Sequence, residues 1–239
     1  MINLSTFSSI FIANWKLNGN IEFIKEYFQK LTTNSNNCTV ICPPSIYLNH
    51  LRINNKNLFS GAQDVSIYEE GAYTGELSTK MLVDNKIHFC LVGHSERRQY
   101  FNEKNETVNL KSNNLIKNNI IPVICIGETL EEKEKNLTKD VLQKQVIDCV
   151  PNKSYFDNTL IAYEPIWAIG SGLTPTLEDI DEVHEFIKNI NNRFNQFKIL
   201  YGGSVKASNS EEINGLRNVD GCLIGGASLK VDEFNSIIS

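Results

Sequence analysis

Residues 122–163 read PVICIGETLEEKEKNLTKDVLQKQVIDCVPNKSYFDNTLIAY, and the order of patterns inside them decides the fold. A short apolar run at 122–126 is followed by a long amphipathic stretch at 130–150 and a second apolar run at 160–163. Short runs without polar alternation suit strands buried on both faces, as in a parallel sheet. Parallel neighbours need a long crossover, and a helix supplies one of right-handed sense. The unit is strand, helix, strand.

The same unit recurs in both directions from there. Strands are also expected at 10–13, 39–42, 58–61, 89–92, 198–201 and 221–224. Helical patterns lie at 21–31, 45–51, 78–84, 107–118, 177–194, 210–214 and 231–238. Thr176, with Asp179 three residues later, marks the start of the helix from 177, with acid in its first turn. Eight such units in 239 residues favour an α/β fold closed as a (β/α)8 barrel over an open doubly wound sheet. No linker, charge block or low-complexity tract interrupts the alternation, so residues 1–239 are expected to form a single domain.

Composition narrows the function classes. A formal charge of −5, with no cluster of Lys and Arg, argues against a nucleic-acid surface. An anionic small molecule would therefore need local attraction from a lysine or from helix N-termini. Cys38, Cys42, Cys90, Cys125, Cys149 and Cys222 contain no C-x-x-C pair, and most lie in or beside apolar runs, so they read as buried free thiols. The N-terminus has no basic leader region, and no run approaches the roughly 20 apolar residues of a membrane span. A cytoplasmic protein is expected, with no membrane partner. His50, His88 and His184 have no spaced Cys, Asp or Glu partners, so neither a metal nor another cofactor is expected.

In a parallel barrel the loops after the strand C-termini line the active site, and the polar residues of this chain fall there repeatedly. Asn14 and Lys16 follow the first strand, Gln63 and Asp64 the third, and Gly93, His94, Ser95 and Glu96 the fourth. Glu164 follows the sixth, Gly202, Gly203 and Ser204 the seventh, and Gly225 and Gly226 the eighth. Glycine turns after strands seven and eight suit a phosphate, because bare backbone lets N–H groups approach an anion. They also suit tight turns demanded only by chain geometry. Lys16 alone fits a solvated lysine, and His94 fits a loop-capping histidine. Glu164 is harder to explain structurally, since an unpaired carboxylate beside a buried strand is costly. A carboxylate base, a neutral electrophile, a cation and a phosphate site together suit proton abstraction next to a carbonyl.

The segments NWKLN, VGHSERR, AYEPIWAIGSG, YGGSV and GCLIGGASL, spread in order from Asn14 to Leu229, resemble the triosephosphate isomerase family. The resemblance implies a TIM barrel, a homodimer and a small phosphorylated triose as substrate. It makes Glu164 the base that shuttles a proton between neighbouring carbons and His94 a neutral imidazole that polarises the carbonyl. Lys16 and Asn14 would offset negative charge, with Glu96 in support, and the backbone near Gly170, Ser204, Gly225 and Gly226 would hold the phosphate. Residues 165–174 become a lid, hinged at 165–167 and 172–174, with Ile169 and Leu229 clamping the Glu164 carboxylate. Trp167, Tyr163 and Glu128 become hydrogen-bond partners of the open lid. The long loop at 61–78 would project into a second subunit, Thr74 reaching that neighbour's Asn14–Lys16 region.

Ala13, Leu17, Leu173 and Pro175 depart from residues usual in the family, and the last two bear on lid kinetics. Two rivals stand beside the isomerase. One is a Schiff-base aldolase on the same barrel, with Lys16 as nucleophile. The other is a non-catalytic phosphate-binding barrel, against which a full set of Asn14, Lys16, His94 and Glu164 argues.

Overall fold

The computed structural model describes residues 2–51, 53, 55–169 and 173–239. Eight strands form its centre: β1 Ile10–Asn14, β2 Cys38–Cys42, β3 Leu58–Ala62, β4 Phe89–Val92, β5 Ile121–Ile126, β6 Leu160–Tyr163, β7 Lys198–Tyr201 and β8 Gly221–Ile224. Each pairs in parallel with its chain neighbours, and β1 pairs with β8, Ile10 opposite Gly221, to close the barrel. Every strand lies within one residue of its expected bounds.

Period-two alternation divides the barrel into two cores. Ile10, Ile12, Val40, Leu91, Val123, Leu160, Leu200 and Leu223 pack together with strand partners and with Leu4 as the interior cluster. Phe11, Ala13, Ile124, Ile161 and Ile199, one step along their strands, pack instead with helical residues such as Ile24, Leu115, Val146, Ile180 and Phe234. All six cysteines are buried and free. Among the described residues no helix is long and apolar enough to cross a membrane.

The helices are α1 Ile21–Lys30, α2 Thr79–Asp84, α3 Ser95–Phe101, α4 Asn105–Lys117, α5 Leu130–Glu134, α6 Thr138–Cys149, α7 Leu177–Lys188, α8 Ser210–Asn214 and α9 Val231–Ile238. Side-chain caps set several starts: Asn20 accepts from the Phe23 amide, and Thr176 forms a capping box with Asp179. Three expected helices differ. The stretch at 130–150 is two helices, because Asn136 sits in the left-handed region at φ 57° and breaks the hydrogen-bond ladder. The helix from 177 stops at Lys188 rather than 194, and Ser45–His50 after two prolines is a 3-10 helix.

Candidate active site

The strand C-termini share one mouth, where a cleft of about 360 Å³ is lined by Asn14, Lys16, His94, Glu164 and Ile169 and, opposite, by Ser204, Gly225 and Gly226. The sequence separates these residues widely. Barrel closure brings them together.

Asn14 ends β1, and its Oδ1 accepts the Lys16 backbone N–H at 3.1 Å. Lys16 adopts φ 51°, a left-handed conformation uncommon for a residue with a long side chain. Its carbonyl accepts from Gln63 Nε2 at 2.8 Å, and the same Nε2 donates to the Cys42 carbonyl at 2.9 Å. These bonds hold a strained backbone in place, and the strain sits at a candidate catalytic residue. Lys16 Nζ reaches Glu96 Oε1 at 2.5 Å, so Glu96 touches the cation, not the cleft itself.

His94 is the N-cap of α3, and its Nδ1 accepts the Glu96 backbone N–H at 3.3 Å. A nitrogen that accepts carries no proton, so the ring proton lies on Nε2. Nε2 faces Glu164 Oε1 at 2.9 Å. The other carboxylate oxygen, Oε2, accepts the Ser95 N–H at 3.1 Å. Only 2% of Glu164 and 5% of His94 is exposed. Burial works against the Glu164 anion, yet His94, the Ser95 amide and Lys16 hold its pKa below the usual carboxylate value. Burial likewise opposes a His94 cation, but the facing Glu164 and then Glu96 raise its pKa above that of free histidine. A cation would still have to give up the amide bond at Nδ1 and turn to Glu96 Oε2, 3.6 Å away.

Gly202 makes room for the glutamate. A Cβ on it would stand 2.8 Å from Glu164 Cγ, closer than real side chains approach. Behind Glu164, Tyr163 hydroxyl and Trp167 Nε1 both donate to Glu128 Oε1, at 3.2 and 2.7 Å. Burial raises the Glu128 pKa, and these two hydrogen bonds oppose the rise. The three residues expected to partner one another with the lid open are therefore in contact.

Other expected residues divide. Ile169 lines the cleft, whereas Leu229, in the 3-10 turn Gly226–Leu229, packs on the helix-side core. Thr74 is exposed on the segment 63–78 and does not line the cleft of its own chain. Gly170 lies outside the described residues.

Supports not apparent from the sequence surround these groups. Arg98 donates from Nε to the Gly93 carbonyl at 2.8 Å and from Nη2 to the Cys125 carbonyl at 3.2 Å, tying the loop before His94 to β5. Glu103 Oε2 accepts the Gly93 N–H at 3.1 Å, and its other oxygen pairs with Lys111, which also reaches Asp64 at 2.7 Å. Only the HSERR segment hinted at the first. Lys206 and Lys230 also border the cleft. Tyr201 and Ser204 share a cavity of about 230 Å³ with Pro175.

A family model described as triosephosphate isomerase matches residues 9–239. The triosephosphate isomerase of Alkaliphilus oremlandii is 43% identical over 248 residues, covering 96% of this chain and 98% of that protein. Those of Francisella philomiragia and Mesomycoplasma hyorhinis are each 41% identical; they cover 96% and 97% of this chain, and 96% and 98% of their own lengths.

Proposed function

The chain belongs to the triosephosphate isomerase family, and on that premise we propose how its residues divide the interconversion of dihydroxyacetone phosphate and D-glyceraldehyde 3-phosphate. Glu164 takes a proton from the carbon beside the carbonyl and returns it to the neighbouring carbon, through an enediolate. The observation that carries this reading is the parked state of Glu164. Its two oxygens are held by His94 and by the Ser95 amide, at the mouth of a cleft with a glycine-bordered anion end. Those partners lower its pKa while burial raises it. Substrate that displaces the partners leaves burial in charge, and the carboxylate becomes a stronger base as it reaches the reacting carbon.

His94 donates from Nε2 to the substrate oxygens and moves protons among them as a neutral imidazole, the state generally assigned in this family. The Glu96 amide on Nδ1 supports that tautomer. Lys16, positioned by Glu96, and Asn14 offset the negative charge of substrate and enediolate. The backbone around Ser204, Gly225 and Gly226, together with Gly170, holds the phosphate. An enediolate phosphate exposed to water loses its phosphate, so the lid at 165–174 closes during turnover, bringing Ile169 and Leu229 against the carboxylate. No cofactor takes part.

The protein works as a cytoplasmic homodimer in glycolysis and gluconeogenesis. Leu17 is 94% exposed beside Lys16, and Tyr68 and Tyr73 stack in the open on the segment that carries Thr74. Such apolar exposure next to a cleft suits coverage by a second copy.

An assay that couples glyceraldehyde 3-phosphate conversion to a dihydroxyacetone phosphate reductase tests the function. Turnover without added metal or cofactor is the expected result, and none at all would overturn it. Ion pairing of Lys16 with Glu96 suits a cation rather than an imine-forming amine. Borohydride in the presence of substrate should accordingly leave the enzyme active, whereas an aldolase would be trapped.

A further inference from the structure

Lys133 lies on α5 with its Nζ 3.5 Å from the centre of the Trp167 ring. It is half-buried, and Trp167 belongs to the 3-10 turn Ile166–Ala168, which overlaps the expected first lid hinge at 165–167. The edge of the same indole is bound to Glu128 Oε1 at 2.7 Å. The ring is therefore held on its edge by an anion and on its face by a cation. A capping box between Thr129 and Glu132 fixes the start of α5 beneath it. The next lysine, Lys135, turns to Glu131 at 2.5 Å, leaving Lys133 as the α5 cation set on the indole. Glu128 is 1% exposed, and among the described residues its Oε2 has no hydrogen-bond partner. A nearby cation is what such a buried carboxylate needs.

We propose that Lys133 is a positioning residue of the lid, whose ammonium on the Trp167 face holds the first hinge in its open arrangement. This rests on the reading of residues 165–174 as a lid that closes over substrate. Moving Trp167 away from Glu128 also takes its ring from under Lys133. A cation on an aromatic face stabilises the state that contains it by about two- to fivefold in population. A ligand that binds only the closed lid has an apparent affinity scaled by the closed fraction. Deleting the cation therefore tightens such a ligand, the opposite of what general damage to the fold would do.

The test compares the parent with Lys133→Met, which keeps an unbranched apolar stem, and Lys133→Arg, which keeps the cation. Phosphoglycolate inhibition, kcat and KM for glyceraldehyde 3-phosphate are measured for each. Lys133→Met should bind phosphoglycolate about two- to fivefold more tightly, with a lower KM and a kcat unchanged or reduced, and Lys133→Arg should restore parent values. Unchanged or weaker inhibition in Lys133→Met, or no restoration by Arg, overturns the proposal. Trp167 fluorescence, assigned against Trp167→Phe because Trp15 also emits, reports the lid in the parent. A parent signal indifferent to saturating phosphoglycolate overturns the lid reading itself, and the role of Lys133 with it. A responsive parent with a Met variant identical to it overturns Lys133 alone.

Discussion

Glu164 Oε1 and His94 Nε2 face each other across 2.9 Å, with both side chains almost wholly withdrawn from water. In the proposed mechanism the base and the electrophile are thus each other's partners. Substrate has to come between them. The geometry of the carboxylate is therefore tightly set before any reaction begins.

Glu164→Asp keeps the charge and shortens the reach by one methylene. Misplacement of a reacting group by about 1 Å can cost about 100-fold in rate. We expect kcat to fall at least that far with little change in KM, read in the coupled assay. An unchanged kcat would remove Glu164 from the role of base.

Glu164→Gln removes the charge that raises the His94 pKa while leaving burial, which lowers it. The His94 pKa should therefore drop in the variant, followed by NMR of the imidazole nitrogens in the absence of ligand. A value equal to the parent's would show that the two groups do not interact as charges.

Pro175 bears on how the lid stays shut. By the family resemblance, a tyrosine and a serine of the YGGS turn, here Tyr201 and Ser204, are expected to bond lid amides at positions 175 and 172. Proline has no N–H to give, so Tyr201 has no donor at position 175. Ser204→Ala should slow turnover by about two- to tenfold, the worth of one hydrogen bond, while Tyr201→Phe has little effect. Phosphate-free glyceraldehyde serves as control, because Ser204 also borders the phosphate. Equal damage from both substitutions would mean that Tyr201 finds another closed-state partner.

Acid sensitivity should trace in part to His184. It is 0% exposed and packed between the Tyr163 and Tyr201 rings, and burial, then Lys188, lowers its pKa from 6.5 to about 3. Above about pH 6.5 neither the folded nor the unfolded form is protonated there, so the residue carries no penalty. Below it the unfolded chain takes up a proton that the folded chain refuses, and stability falls as pH falls, by up to about 1.4 kcal/mol per pH unit. Urea midpoints between pH 7.5 and 5 should decline more steeply for the parent than for His184→Gln. Parallel slopes would assign the acid sensitivity to other groups.

Assembly is tested by sedimentation. A two-fold dimer is expected at assay concentration, and a charged substitution at Thr74 should shift it toward monomer with loss of activity, because the partner's Lys16 region loses its cover. A fully active monomer would defeat the dimer reading.

Strands were easily read because buried parallel runs carry their own signature; β4, β6, β7 and β8 fall on the expected residues throughout. Helix ends were harder. The amphipathic period continues across Asn136, and nothing in a hydrophobic count registers one residue turning left-handed. At the cleft, residues that follow strand ends were legible because topology alone gathers them. Gln63 holding the Lys16 carbonyl and Lys133 covering Trp167 were not, because each contact joins segments after different strands whose relative placement only the closed barrel sets. Leu229 packs on the core, so the part proposed for it in the clamp needs a motion that sequence does not describe.

The left-handed backbone at Lys16 sets a trap for anyone breeding a hardier version of this enzyme. Glycine adopts that conformation without strain and asparagine with little, so either would relieve on the order of 1 kcal/mol. A library sorted for heat tolerance alone will enrich such replacements at position 16. The survivors will be sturdier barrels that have shed the cation from the cleft, and only a screen that scores turnover alongside melting will keep the lysine in the pool.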